Sequence, residues 1–208
     1  MVTIEALGQQ AVALRLDTGD IGSFGAFFER ARAALHETFG TERFDFLINN
    51  AGTGLNVSIA DTQEADFNAL LNVQFKGVYF LTQKSLPLLN DGGRVINISS
   101  GLARFVGPGN AAYASLKGAV EVFTRYLAQE LGPRGITANV VAPGAIETDF
   151  NGGRVRDNPR VNAYLAGTTA LGRVGRPDDI GGVVAFLCTD EARWINAQRL
   201  EVSGGQQL

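Results

Sequence analysis

The chain has 208 residues, of which 45% are hydrophobic and 19% are charged, and this composition suits one domain with a substantial apolar core. A formal net charge of -3 and the lack of any Lys/Arg stripe argue against nucleic-acid binding. Cys188 is the single cysteine and His36 the single histidine, which excludes a disulfide framework, a Cys-rich metal site and His-based triads, so we expect no metal site.

The chain shows no pattern of a targeting or membrane-spanning segment. Met1–Gln10 lacks the basic start and the long apolar run of a signal peptide. No later stretch is apolar over the length that a membrane span needs. We therefore expect a cytoplasmic protein without a membrane partner.

Short apolar runs typical of strands alternate with longer segments of helical period. This alternation predicts right-handed crossovers and a parallel sheet, and hence a doubly wound α/β fold. No linker or repeat divides the chain, so we expect one domain over residues 1–208. The irregular stretch Thr148–Thr169 is predicted to be a mobile loop. In chain order the predicted elements are strand Ala11–Leu16, helix Phe24–Phe39, strand Phe44–Ile48, helix Glu64–Leu89, strand Arg94–Ile98, helix Ala111–Leu131, strand Thr137–Val141, helix Pro177–Cys188 and strand Arg199–Val202.

Three predicted strands end in polar or glycine-containing turns. These turns are Asn49–Gly52, Ser99–Gly101 and Pro143–Gly144. Each alone has the composition of an ordinary tight turn. Ligands of doubly wound sheets bind outside the carboxyl ends of the strands, so three such turns on one rim indicate a site.

Tyr113 and Lys117 lie four residues apart at the start of the predicted helix Ala111–Leu131, so both project from one face. A nearby ammonium stabilises a phenolate and lowers its pKa, which suits a Tyr that exchanges a proton with a carbonyl or alcohol oxygen. Taken alone, this spacing also fits a solvated helix face. The chain has only three lysines, which makes the pair more notable.

The order and spacing of five segments carry more information than any one of them. The segments are Asn49-Asn50-Ala51-Gly52, Asn72, Ser100, Tyr113-Ala114-Ser115-Leu116-Lys117 and Pro143-Gly144-Ala145-Ile146-Glu147-Thr148. Together they closely resemble the short-chain dehydrogenase/reductase family, and residues 172–205 resemble the ending of that family. The resemblance covers essentially the whole chain and is strongest to bacterial 3-oxoacyl-thioester reductases and to sugar or polyol dehydrogenases.

The resemblance implies an oxidoreductase that moves hydride between NAD or NADP and a carbonyl or secondary alcohol. It makes Tyr113 the general acid/base and Lys117 the residue that lowers its pKa and binds the nicotinamide ribose. Ser100 would hold the substrate oxygen, and Asn72 would order a water chain. As alternatives, Ser100 could simply end a strand and Asn72 could bond backbone within a helix.

The resemblance also implies cofactor contacts, a small-molecule substrate and a homodimer or homotetramer built on the two long helices. Asp17 has an alternative reading, since Asp17–Asp20 has the composition of a turn. The sequence does not decide between NAD and NADP. The implied cofactor-binding residues are Asp17, Thr18, Asn50, Ala51, Gly52, Tyr113, Lys117, Pro143, Gly144, Ile146 and Thr148.

One part of the family pattern has no counterpart in this sequence. The resemblance implies a Rossmann-like doubly wound parallel sheet lacking the first two strands and the glycine-rich turn that holds the pyrophosphate. Met1–Gly8 resembles the end of the helix that follows those strands. We expect that Ala11–Leu16 either pairs directly with Phe44–Ile48 or is poorly ordered.

Two explanations of this pattern remain open at the level of sequence. Met1 is an internal start within a longer gene, which we favour, or the protein is genuinely short and binds nicotinamide poorly. Correspondingly, the function is that of a hydride-transferring enzyme or that of a catalytically weak or silent oligomerising module. The DNA upstream of the start codon would separate the first two explanations.

Overall fold

The computed structural model describes residues 2–208 and contains a parallel sheet of four strands in the order β1-β2-β3-β4. The predicted doubly wound α/β fold is thereby confirmed. Within the described residues, no helix has the length and apolarity to cross a bilayer. The strands are β1 (Phe44–Asn49), β2 (Leu89–Ile98), β3 (Thr137–Pro143) and β4 (Arg199–Val202), and the helices are α1 (Val2–Ala6), α2 (Phe24–Phe39), α3 (Glu64–Leu71), α4 (Gly77–Ser85), α5 (Ala111–Leu131), α6 (Arg154–Asp157), α7 (Pro159–Gly167) and α8 (Pro177–Leu187).

The inner strands are apolar because helices cover both faces of the sheet. On one face, Val95 and Ala138 pack against Leu127 and Leu131 of α5. On the other face, strands β2 and β3 pack against α8, and residues of this second cluster include Ile96, Val141 and Leu187. This two-sided packing fixes β2 and β3, whose carboxyl ends carry two of the predicted site turns.

The predicted strand Ala11–Leu16 is wrong, because these residues join no ladder of the described sheet. Nor do they pair with β1. A strand needs a neighbour for its backbone N–H and C=O groups, and this segment has none, although Arg30 donates a side-chain hydrogen bond to Arg15 O at 3.1 Å. Strand β1 is therefore an edge strand, and its side chains Phe46 and Ile48 remain 44% and 40% exposed. The expected pairing with β1 is thereby wrong, whereas the other alternative, poor order of this segment, stays a prediction. Met1, part of the predicted helix end Met1–Gly8, lies outside the described residues.

The predicted helix Glu64–Leu89 ends earlier and is not uniform. It stops at Ser85, and Leu89 already belongs to β2. Pro87 explains the stop, since proline lacks the backbone N–H that would continue the helical hydrogen bonds. Between α3 and α4 lies one π-helical turn, Asn72–Lys76, in which Gly77 N–H donates to Asn72 O. Such turns are rare and occur often at functional sites.

The predicted loop Thr148–Thr169 is largely helical, which corrects the sequence prediction. It contains a short 3₁₀ turn at Phe150–Gly153 followed by α6 and α7. Helix α7 begins at Asn158-Pro159, where the Asn158 side chain accepts hydrogen bonds from Arg160 N and Val161 N. An N-cap Asn followed by Pro is a recognisable start signal, so this helix could have been predicted.

Candidate active site

Three consecutive strands of the sheet end side by side at the predicted site. Strands β1, β2 and β3 are parallel neighbours, so the turns that follow them share one edge. The turn after β1 contains Asn50–Gly52, the turn after β2 contains Ser100, and Pro143 ends β3. The sheet therefore brings together the three turns that were predicted to share a rim.

Ser100 has an extended backbone and caps a short 3₁₀ turn that follows β2. Its Oγ accepts a hydrogen bond from Leu102 N at 3.2 Å. One lone pair of the hydroxyl is thus engaged by backbone, while the hydroxyl proton remains available for donation. The hydrogen bond from Leu102 N therefore orients the Ser100 side chain within the protein itself.

Tyr113 lies in the first turn of α5 and is only 8% exposed. Burial raises the pKa of its phenol to about 12, and hydrogen bonding with Ser100 acts in the opposite direction. The sequence predicted a lowered pKa because Lys117 is close. In the structure, desolvation of the phenolate is the largest influence and raises the pKa instead, so Tyr113 holds its proton at neutral pH.

Lys117 is buried one helical turn after Tyr113, and its Nζ donates to Ile98 O at 2.8 Å. The ammonium lies 5.7 Å from the centroid of the Tyr113 ring. Burial lowers the pKa of Lys117 to about 8. Within the described residues no carboxylate forms a salt bridge with Lys117, so its ammonium has unused donors. It lies at the sheet edge where β1, β2 and β3 end, which we call the reactive edge.

The turn Phe150–Gly153 lies against Tyr113 and against the loop after β1. The rings of Phe150 and Tyr113 lie 6.0 Å apart between centroids. Further along, the Asn151 side chain fills the space beside Gly54, where an added Cβ would lie 2.4 Å from Asn151 Nδ2. Asn151 and Gly152 both have positive φ, which lets the turn bend sharply over the site.

Gln74, and not the predicted Asn72, is the amide of the π-helical turn that hydrogen-bonds the loop after β1. Gln74 is fully buried in the π-helical turn, and its Nε2 donates to Thr53 O in the loop after β1. Asn72 is half-buried, and its side chain forms no hydrogen bond among those found in the described chain. The sequence signal for Gln74 was a polar side chain on the apolar face of a long helix.

The cofactor loops predicted after β1 and β3 have different surroundings. Asn50, Ala51 and Gly52 are exposed, so their backbone is open to a ligand. The loop after β3 is held from outside: Gln206 Oε1 accepts from Ala145 N at 2.9 Å, and Ile146 pairs with Gly175. The predicted cofactor-binding residues of this second loop are all half-buried, namely Pro143, Gly144, Ile146 and Thr148.

Asp17 and Thr18 lie against the start of α4. The Asp17 carboxylate accepts from Gly19 N at 2.8 Å, so the residue does form a turn. Thr18 O packs so closely on Gly77 that an added Cβ there would lie only 2.1 Å away. Only glycine at position 77 allows Thr18 O to pack this closely on α4. The turn at Asp17 and Thr18 therefore packs against α4, and no strand precedes it among the described residues.

Known proteins resemble this chain over nearly its whole length. A family model described as enoyl-(acyl carrier protein) reductase matches residues 3–207. An uncharacterized oxidoreductase of Methylorubrum extorquens is 37% identical over 202 residues, covering 97% of this chain and 79% of the relative. Versicolorin reductase 1 of Dothistroma septosporum is 34% identical over 213 residues, covering 98% and 79%. The crystal structure of the angucycline C-6 ketoreductase LanV with bound NADP has a TM-score of 0.93 at 33% identity, covering 99% and 79%.

The chain belongs to the short-chain dehydrogenase/reductase family. The family predicted from the sequence is thus confirmed. The narrower resemblance to 3-oxoacyl-thioester reductases stays a prediction, because the two relatives that carry a substrate name are reductases of other compounds.

The residues of this short-chain dehydrogenase/reductase fit the nicotinamide half of the family's cofactor. Lys117 offers unused donors for ribose hydroxyls, and the exposed backbone of Asn50–Gly52 lies at the same edge. Gly52 approaches the Gln74 side chain closely, since an added Cβ would lie 3.1 Å from its Nε2. For the pyrophosphate half, the part of the chain that the structure describes has no glycine-rich turn from a strand into a helix.

Substitution of Lys117 by Met tests the burial of its ammonium. The pKa of Lys117 is about 8 in the folded protein and 10.5 ordinarily, so between these values the unfolded chain binds more protons. We expect the free energy of unfolding of the wild type, relative to Lys117→Met, to rise by about 3 kcal/mol from pH 8 to 10.5. This gain in stability should be lost as the pH is lowered from 10.5 to 8.

Urea unfolding across that pH range measures this difference, with Lys84→Met, at an exposed position of α4, as the control. Equal pH dependence in both variants would show that Lys117 is not desolvated.

Substitution of Phe150 by Ala tests the closed turn over Tyr113. Because burial is the main cause of the raised pKa, uncovering the phenol should move its pKa from about 12 toward 10. Nuclear magnetic resonance titration of isotope-labelled tyrosine measures this value, with Tyr113→Phe identifying the signal. Phe39→Ala, on the exposed side of α2, is the matched control, and an unchanged Tyr113 pKa in Phe150→Ala would contradict the closed arrangement.

Proposed function

We propose that this chain is a ketoreductase that transfers hydride between NADP(H) and a ketone or secondary alcohol, with Tyr113 as general acid/base. The observation that carries the proposal is the grouping of Ser100, Tyr113 and Lys117 at one sheet edge, with Tyr113 and Lys117 both buried. The relatives support a ketone as the substrate and NADP as the cofactor, since one of them is named as a ketoreductase with bound NADP.

The proposed reaction assigns a separate task to each side chain. The cofactor, when bound, supplies the hydride that the carbonyl carbon receives. Ser100 donates its hydroxyl proton in a hydrogen bond to the carbonyl oxygen, because its lone pair is already engaged by Leu102 N. Tyr113 then gives that oxygen a proton, which its raised pKa preserves at neutral pH. Lys117 stabilises the phenolate that remains.

Return of a proton to Tyr113 needs a path from solvent. We propose that the π-helical turn Asn72–Lys76 orders water for this purpose. Gln74 is the stronger candidate for that role, because its Oε1 is buried without a partner among the described residues. Asn72, the residue predicted from the sequence, is kept as the second candidate. The adenine contacts of Asp17 and Thr18 likewise stay proposals.

We propose an apolar, ring-bearing ketone as the substrate class. Phe150 packs on Tyr113, and Val106, in the segment after Ser100, is 84% exposed. Such side chains suit a ligand with large apolar area. An acidic ligand is less well supported, because Arg156 already pairs with Asp149 and Asp157. An acyl thioester remains the alternative that the sequence suggested.

We also propose that residues 1–208 form one domain that assembles as a homodimer or homotetramer. An apolar surface along α4 and α5 supports this assembly. Tyr79 stacks on Phe123 at 4.6 Å between centroids, and neighbouring Tyr126 is 64% exposed. Exposed aromatic side chains of this kind are typical of interface cores. A cytoplasmic location and an internal start within a longer gene stay hypotheses, and the upstream DNA tests the second.

Substitution of Tyr113 by Phe tests the reaction. We expect wild type to oxidise NADPH in the presence of ketones, fastest with an aromatic ketone such as 2-tetralone and more slowly with acetoacetyl-coenzyme A. The variant should lose activity by about 10²- to 10⁴-fold, since general acid catalysis supplies a factor of that size. The loss of reduced-nicotinamide absorbance measures both rates.

Calorimetry is the control for this substitution. Wild type and Tyr113→Phe should bind NADPH equally, because the hydroxyl is needed for proton transfer. Turnover that survives in Tyr113→Phe would overturn the assignment. Absence of both NADPH binding and turnover in wild type would favour the silent module instead.

Substitution of Tyr126 by Glu tests assembly. A carboxylate placed at the centre of the apolar surface should shift the protein to monomer, because a desolvated charge without a partner opposes association. Light scattering after size-exclusion chromatography measures the mass. Tyr164→Glu, at a similarly exposed Tyr on α7, is the control, and identical masses for all three proteins would contradict this interface.

A further inference from the structure

An alternating network of charged side chains lies directly behind the reactive edge. It links Glu121, Arg199, Glu201 and Arg104 through hydrogen-bonded ion pairs. Arg199 and Glu121 have side chains only 23% and 13% exposed. Two acids and two bases give the network no net charge, so each charge has an opposite partner.

One end of the network contacts both serines that follow β2. Ser99 Oγ donates to Glu121 Oε1 at 2.7 Å and approaches Lys117 O at 3.3 Å. Arg199 Nε donates to the same Glu121 oxygen at 2.7 Å, and Arg199 Nη2 donates to Ser100 O at 3.2 Å. The guanidinium thus joins α5, β4 and the backbone of Ser100.

The opposite end of the network reaches the chain terminus. Arg104 forms two hydrogen bonds to Glu201 at 2.5 and 2.7 Å, and Ser203 Oγ donates to Glu201 at 3.0 Å. Burial raises the pKa of Glu201, but the hydrogen bonds from Arg104, Arg199 and Ser203 together hold it below its usual range. The carboxylate is therefore charged at neutral pH.

Glu121 lies on the same face of α5 as Tyr113 and Lys117. Tyr113, Lys117 and Glu121 follow one another at four-residue intervals on one face of α5. Glu121 fixes Ser99, while Arg199 fixes Ser100 against the same helix. Both serines after β2 are thus tied to the helix that carries Tyr113 and Lys117.

We propose that Arg199 and Glu121 are positioning residues that hold Ser100 in register with Tyr113 and Lys117. The inference rests on the proposed function, and it assigns these residues no contact with substrate or cofactor. Arginine is required because its planar fork reaches two carboxylates and a carbonyl at once. A lysine ammonium would keep the charge but lose that geometry.

The test compares Arg199→Lys and Ser99→Ala with wild type. Arg199→Lys preserves the charge balance, and Ser99→Ala removes the bond to Glu121 without changing any charge. We expect kcat for ketone reduction to fall about 10- to 100-fold in each, because small misplacements of reacting groups have effects of that size, while KM for NADPH stays within about twofold. Arg32→Lys, in the remote pair Arg32–Glu42, should be unchanged.

A second measurement does not depend on turnover. In the cofactor-free protein labelled on tyrosine, the Tyr113 resonance should move in Arg199→Lys and Ser99→Ala toward its position in Ser100→Ala. The other three tyrosines should keep their positions, which a general loss of stability would not produce. Wild-type kcat in both variants, or an unmoved Tyr113 resonance, would overturn the proposal. An inactive wild type with these resonance shifts would contradict the proposed function alone.

Discussion

The site depends on a pair of amides buried between the sheet and its helices. Asn49 of β1 and Asn97 of β2 are register partners, and Asn49 Nδ2 donates to Asn97 Oδ1 at 2.7 Å. Asn49 also donates to Thr82 of α4, and Asn97 donates to Thr124 of α5. An unsatisfied buried amide costs about 1–3 kcal/mol, so a register slip between the strands would be strongly opposed. The turn after β1 follows Asn49 directly, and Ser99 stands two residues after Asn97. The pairing of Asn49 with Asn97 therefore fixes the position of the turn after β1 relative to the turn after β2.

Burial acts on the two reactive groups in opposite directions. It raises the pKa of Tyr113 to about 12 and lowers that of Lys117 to about 8, since in each case the charged form is disfavoured. The arrangement therefore keeps a protonated phenol beside an amine that is easily neutralised. A ligand that engages the unused donors of Lys117 would favour the ammonium, and the ammonium would in turn favour the phenolate. In the proposed reaction, cofactor binding at Lys117 would thereby favour release of the Tyr113 proton, because the Lys117 ammonium lies 5.7 Å from the centroid of the Tyr113 ring.

The sequence predicted those parts of the molecule that local spacing determines. Helix α5 and the relation of Tyr113 to Lys117 follow from a four-residue interval, and the shared edge follows from parallel strands. By contrast, the segment Ala11–Leu16 has the composition of a strand but no partner, because pairing depends on distant residues. Gln74 stands on the apolar face of the predicted helix, but its hydrogen bond to Thr53 O could not be predicted, because the partner lies in a loop 21 residues earlier in the chain.

The interactions that hold the reactive edge come from elements other than the unpaired segment. Among the hydrogen bonds of the described residues, none joins residues 2–16 to Ser100, Tyr113 or Lys117. Their supports are β1, β2, α5 and the C-terminal tail, where Gln206 fixes the loop after β3 and Arg104 reaches Gln206 O. Substitutions within residues 2–16 should consequently leave the hydrogen bonds of Ser100, Tyr113 and Lys117 intact.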